Sequence, residues 1–268
     1  MTTKAVVYTI NQTNIELIAT SLFSLINYYN SKEKLNVFLL VDDIFEEDIN
    51  SLRSFSKYMK KEHIEISIWQ MPQELNQLTS LDTAGGLTRY NTAKFFLPNY
   101  FANVDTLVYL EAETLILGNI SQYFSDFSEE YAVGAVKQAL SNTGSEFFNT
   151  ASMIFNPKMY NEKYSVDELI AVINNSPATI TEIEMSNQLF KEAVYYLPTK
   201  YNVTDASQES VNDRAKQECV VRNFADSQER FKPWNHLALM NKWDRAFWTN
   251  FTEMKTLVFR GHASAKSL

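Results

Sequence analysis

The chain holds one cysteine, Cys219, in 268 residues. A single thiol excludes an internal disulfide framework and any zinc site built on cysteines, and it is the usage expected in a reducing cytoplasm. Glycine and proline number 6 each, too few for a collagen-like or low-complexity chain. No apolar run approaches the roughly 18 residues that span a bilayer. No basic segment followed by a short apolar stretch opens the sequence, so a secretory signal is not expected. The three histidines, His63, His236 and His262, lie on no metal-ligand spacing. No serine or cysteine is flanked as a nucleophile would be, and Cys219 sits in an apolar run, as an inert core thiol does.

Positive charge is also scarce. The net charge of −8 argues against nucleic acid as a partner. The deficit is uneven, since residues 210–268 carry 10 Lys+Arg against 6 Asp+Glu while the first 209 residues carry 14 against 26. A basic end of this size suits phosphate or an anionic membrane surface, and equally an ordinary solvated face.

What is present is an alternation of strand and helix patterns. Lys4 to Ile10 and Leu35 to Val41 are short apolar, β-branched runs, and Ile64 to Trp69 is a third. Between the first two, Ile15, Ile18, Leu22, Leu25 and Ile26 share one helical face, and Thr13 with Glu16 has the spacing of a capping box. Between the second and third, Ile49, Leu52, Phe55 and Met59 form another apolar stripe. Strands alternating with helices predict right-handed crossovers and an α/β fold with a parallel sheet. Ligands of such sheets collect at the carboxyl ends of the strands, so Thr9 to Thr13 and the end of a fourth strand, within Val104 to Leu110, are expected to border one crevice. No glycine-rich loop follows the first strand, which excludes the dinucleotide fingerprint and the P-loop. Phosphate, if bound, must be met by a metal, by lysine or arginine, or by a helix end. A short helix is expected before Pro98, carrying Lys94. Further strands are predicted at Tyr131 to Val136 and Ser152 to Phe155, and helices around Val166 to Ile173 and within Thr181 to Phe190. A short strand follows Cys219. The C-terminal segment is helical, with Trp243, Phe247, Trp248 and Phe251 on one stripe for core or intersubunit packing.

The fourth strand ends at two acids in VDTLVYLEAETLILGNI. Side chains at i and i+2 of an extended chain share a side, so Glu111 and Glu113, with Ala112 between them, can face one object. Paired carboxylates suit Mg²⁺ or Mn²⁺ bridging substrate phosphates. They are equally the solvated acids expected where a strand surfaces.

Four segments, YLEAETLILGNI, FNTASMIFN, LPTKYNV and KPW, in this order and over about residues 4 to 234, resemble the family 8 glycosyltransferases, the group of glycogenin and the bacterial lipopolysaccharide galactosyltransferases. The resemblance implies a GT-A fold, a Rossmann-like mixed central sheet with helices on both faces. That domain would cover residues 1–235, with a helical extension at 236–268. It implies a retaining hexosyltransferase that moves a sugar from a UDP-sugar to a glycan, protein or lipid-linked acceptor. Thr9, Asn11 and Thr13 match the positions that hold uracil and ribose. Lys94, Ala112, Asn149 and Lys232 match donor sugar and diphosphate contacts. Glu111 and Glu113 match the metal acids, with Asp226 or Asn223 at the third ligand. Glu182, Ile183 and Glu184 match an Asp-Gln-Asp segment, so that Glu184, Asn149 and Lys94 become the catalytic candidates.

The departures from the family pattern are glutamate for aspartate at both metal positions, no histidine before KPW, Asn11 for an aspartate, Gln138 for an acid and Ile183 for a polar residue. Two arrangements follow from them. Either Glu111, Glu113 and Asp226 hold Mn²⁺ or Mg²⁺, or Lys94 and Lys232 neutralise the diphosphate with no metal. A non-catalytic binding or scaffolding role on the same fold is the alternative to the enzyme. The resemblance also implies a cytoplasmic protein, at most peripheral to the inner face of the membrane. The C-terminal helix is the candidate for a membrane or homo-oligomer contact.

Overall fold

A computed structural model describes residues 3–42, 44–79, 81, 86–139, 146–205, 218–225, 227–236, 238 and 241–265. Seven strands form the main sheet. They are β1 (Lys4–Ile10), β2 (Leu35–Val41), β3 (Ile64–Gln70), β4 (Thr106–Leu110), β6 (Val133–Ala139), β7 (Glu146–Phe155) and β8 (Val194–Leu197), in the order β3-β2-β1-β4-β7-β6-β8. The pairs β1–β2, β2–β3, β1–β4 and β6–β8 are parallel, whereas β7 runs antiparallel to both β4 and β6. The sheet is thus mixed and mostly parallel. Between β4 and β6, β5 (Thr114–Ile116) leaves the main sheet and pairs antiparallel with β9 (Val221–Asn223).

Strand alternation sends side chains to two separate cores. Val6, Tyr8, Val37, Leu39 and Val108 face one side, against helix α1 (Ile15–Tyr28), whose Ile18, Leu22, Leu25 and Ile26 are fully buried there. Ala5, Val7, Leu107 and Tyr109 face the other side. There they meet Phe95, Phe96 and Leu97, together with helices Val166–Asn174 and Glu182–Phe190. A third cluster joins Leu115 and Phe224 to Trp243 and Phe247 of the C-terminal helix, Lys242–Ala265. This helix also sends Met254 into the α1 core and ties Lys255 to Glu16, so the aromatic stripe packs within the chain. No helix among the described residues is long and apolar enough to cross a membrane.

Two local expectations are corrected. Thr13 does not cap α1; its hydroxyl and amide donate to Asn11 Oδ1, at 2.7 and 3.0 Å, and the Asn14 amide donates to the same oxygen at 3.0 Å. Asn11 closes an Asx turn and the helix starts after it, at Ile15. The second helix divides into Glu46–Arg53 and Phe55–Tyr58, because the Ser54 hydroxyl donates to the Asn50 carbonyl and competes with the helical ladder.

Candidate active site

Strand order reverses at β1, with β2 on one flank and β4 on the other. The crevice at the carboxyl ends of β1 and β4 is therefore the place where a doubly wound sheet receives a ligand. Thr9 is buried on its β1 side, with its hydroxyl 3.4 Å from the Tyr109 hydroxyl of β4. Asn11 and Thr13 follow on the turn.

Lys94 enters from the segment before β4. Thr88 and Asn91 form a capping box that starts the helical turn Arg89–Thr92, and the 3-10 turn Ala93–Phe95 buries Lys94 completely between its apolar neighbours. An ammonium inside a protein needs acceptors for each of its protons. Lys94 Nζ has Glu111 Oε1 at 2.8 Å, Glu182 Oε1 at 2.9 Å and the Thr150 carbonyl at 3.3 Å, and it lies 4.7 Å from the Tyr109 ring centre. Burial opposes its charge, but Glu111 and Glu182 outweigh burial and hold its pKa above the usual lysine value.

The Thr150 carbonyl is available because β7 bulges. Ala135 pairs with Met153 but Val136 pairs with Asn149, so Thr150, Ala151 and Ser152 leave the β6 ladder. Ser152 and Ala151 meet β4 instead, where Ala151 accepts from the Glu111 amide at 2.9 Å.

The two acids do not converge on one object. The chain turns directly after β4, with the Thr114 amide and hydroxyl donating to the Glu111 carbonyl at 3.2 and 2.7 Å. This turn breaks the i, i+2 relation of an extended strand, with Ala112 partly buried at its bend. Glu111 goes to Lys94, and Glu113 goes to Lys232, whose Nζ lies 3.0 and 2.8 Å from its two oxygens. Burial raises the Glu113 pKa against the lowering effect of Lys232. Lys232 also bonds Glu229, at 2.7 Å. Pro233, buried, and Trp234, edge-on to Phe224, anchor the KPW segment.

Asn149 is buried in an amide cluster. Its Oδ1 accepts from Asn202 Nδ2 at 2.8 Å, Asn223 Nδ2 at 3.2 Å and the Ala151 amide at 2.9 Å, and its Nδ2 donates to Gln138 at 3.4 Å. Asn223 Oδ1 in turn accepts from the Ala225 amide at 2.7 Å, so this side chain is spent inside the protein. Asp226 lies outside the described residues. Among the described residues no group of three His, Cys, Asp or Glu could hold a metal ion. Of the two acids matched to metal ligands, each already accepts from a buried ammonium.

Glu184 is away from this cluster. Its carboxylate accepts from the Thr181 amide and hydroxyl, both at 2.9 Å, while its own amide donates to Thr181 Oγ1 at 3.2 Å, a complete capping box. The acid that reaches Lys94 is Glu182, buried and held by the hydroxyls of Thr150 at 2.7 Å and Ser186 at 2.9 Å. The spacing Thr181-x-x-Glu184 is a capping signature in the sequence itself. Sequence reading made Glu184 a catalytic candidate; this spacing is the signal that could have assigned Glu184 to the helix end and left Glu182 for the site. Tyr109, Thr150 and Glu229 are the other members that sequence reading missed.

A sheet of this order with its acids at the β1/β4 crevice defines the class, the GT-A glycosyltransferases. Residues 5–238 match the model of glycosyl transferase family 8, and the chain belongs to that family. The glycosyltransferase GlyB of Streptococcus pneumoniae serotype 4 is 21% identical over 203 residues, which cover 75% of this chain and 48% of GlyB, so the chain spans about half the length of that curated relative. The bifunctional glycosyltransferase WbbM, in its apo form, superposes with a TM-score of 0.74 at 16% identity, over 96% of this chain and 52% of WbbM. The galactosyltransferase LgtC, solved with donor and acceptor sugar analogs, gives 0.71 at 13% identity over 93% and 95% of the two chains.

Proposed function

We propose that this glycosyltransferase moves a hexose from a UDP-sugar, with retention of anomeric configuration, to a carbohydrate, glycoprotein or lipid-linked acceptor. One observation carries the reading: two buried lysines from distant segments, Lys94 and Lys232, each hold one of the two acids, Glu111 and Glu113, of the turn that follows β4. A diphosphate leaving group needs positive charge held in place as its own negative charge develops. We assign this role to Lys232, which precedes the buried Pro233 and the Trp234 packed on Phe224. Lys94 is saturated by three acceptors, and its part is to hold Glu111 and Glu182 in position. Thr9, Asn11 and Thr13 receive the nucleoside, and Asn149 orients the sugar side of the crevice.

No serine or cysteine of the sequence is flanked as a nucleophile would be, and the transfer proposed here follows a front-face course. The acceptor hydroxyl attacks the anomeric carbon on the side from which the diphosphate departs. As the new C–O bond forms and the sugar–phosphate bond breaks, the hydroxyl proton passes to the departing phosphate oxygen.

Calorimetric titration with UDP, UDP-glucose and UDP-galactose, followed by UDP release over hours, tests the reading. Binding and slow donor hydrolysis are expected. Absence of both in every buffer, Mn²⁺ included, refutes it in favour of a non-catalytic binding role.

A further inference from the structure

Lys232 sits on Glu113 in an unusual way for a lysine that must also meet substrate. Both carboxylate oxygens accept from its ammonium, at 3.0 and 2.8 Å, a chelating grip of the kind a carboxylate gives a metal ion. Its side chain is 7% exposed and that of Glu113 28%, so the pair is largely shielded from water. The other acid of the motif is bonded to Lys94, which is wholly buried. A divalent cation shared by Glu111 and Glu113 would strip both ammoniums of a counter-charge that burial makes necessary. Of the two candidates for the third position, Asn223 has its amide spent on Asn149 and Ala225, and Asp226 lies outside the described residues.

The third acceptor of Lys232 is different in kind. Glu229 stands three residues away on the 3-10 turn Glu229–Phe231, with its side chain 78% exposed. Only the Glu229 end of this pair is in water, where Asn235 Nδ2 also donates to it at 3.0 Å, and water competes there for the carboxylate as it does not at Glu113.

We propose that the Lys232 ammonium, seated on Glu113, takes the place of a divalent cation toward the donor diphosphate, and that Glu229 is a stand-in acceptor which a phosphate oxygen displaces. No bond is made or broken in this exchange apart from hydrogen bonds. Glu113 keeps the ammonium oriented, and an incoming phosphate oxygen accepts the ammonium hydrogen bond that Glu229 releases. The proposal rests on the reading of the site as one for a nucleoside diphosphate, and the experiment separates the two.

UDP is titrated calorimetrically into the full chain in EDTA and again in Mn²⁺, with the wild type, Glu229→Gln and Lys232→Ala. UDP is expected to bind in EDTA, with Mn²⁺ changing the affinity by less than about threefold. Glu229→Gln, which removes the competing charge, should tighten binding roughly two- to fivefold in EDTA. Lys232→Ala should weaken it by about tenfold or more, the scale of a lost hydrogen bond to a charged group. Binding that requires Mn²⁺, or a Glu229→Gln variant that binds no tighter than wild type, overturns the proposal and leaves the nucleotide-sugar reading intact. Failure of wild type to bind UDP in either buffer overturns both.

Discussion

Replacing Lys94 by methionine should be among the most damaging single changes in the chain. The side chain is fully buried and methionine fills much of its volume, so the loss is of charge rather than packing. Removing it leaves Glu182, whose side chain is 9% exposed, without an opposing charge, although the hydroxyls of Thr150 and Ser186 still donate to it. Glu111 is 25% exposed on its side chain and can turn to water. The penalty therefore falls mainly on one buried carboxylate, about 3–5 kcal/mol for breaking a buried pair from one side. For a chain of this length that is a fall in melting temperature of roughly 6–12 °C. Urea unfolding and calorimetric melting of Lys94→Met, Glu182→Gln and the double variant measure it. The double variant should be more stable than Lys94→Met alone, because neutralising Glu182 removes the stranded charge. If Lys94→Met melts with the wild type, or if the double variant falls below the single, the reasoning from burial and pairing is wrong.

The capping box predicts that Thr181→Ala costs about 1 kcal/mol of stability and that Glu184→Ala adds less than its own cost on top; additive losses in urea unfolding would refute the reciprocal bonds. Burial pushes the Cys219 thiol up to about 12 from an ordinary value of 9.0. At pH 8 native Cys219 should then react with a thiol reagent slower than the unfolded chain by roughly two to three orders of magnitude. The same shift fixes a sign for stability. Below pH 9 both states keep the proton and nothing changes, whereas between 9 and 12 the unfolded thiol ionises first and stability falls as pH rises. Equal labelling rates in native and unfolded protein at pH 8 would contradict this.

Much of the architecture was legible because it depends on short-range pattern. The three opening strands and α1 could be read from apolar runs and helical spacing, since each element must bury a continuous face and the 2.0 and 3.6 periods leave few alternatives. Glu111, Glu113, Lys94, Asn149 and Lys232 were singled out by the resemblance of four ordered segments to the family. How these residues engage one another could not. The acids look like a matched pair in sequence, and only the turn at Glu111–Thr114 sends them to different lysines. Glu182 and Glu184 look interchangeable, and only the helix start at Thr181 turns one inward and spends the other on a cap.

The sequence by itself determined the class of fold and the segments that build the crevice, because hydrophobic periodicity and local turn chemistry act over a few residues. The tertiary structure decided the partner of each charge. Lys94 meets Glu182 across 88 positions and Lys232 meets Glu113 across 119. No local rule reaches that far; the pairing is set by strand order, by the bulge in β7 and by the cost of leaving a buried charge alone.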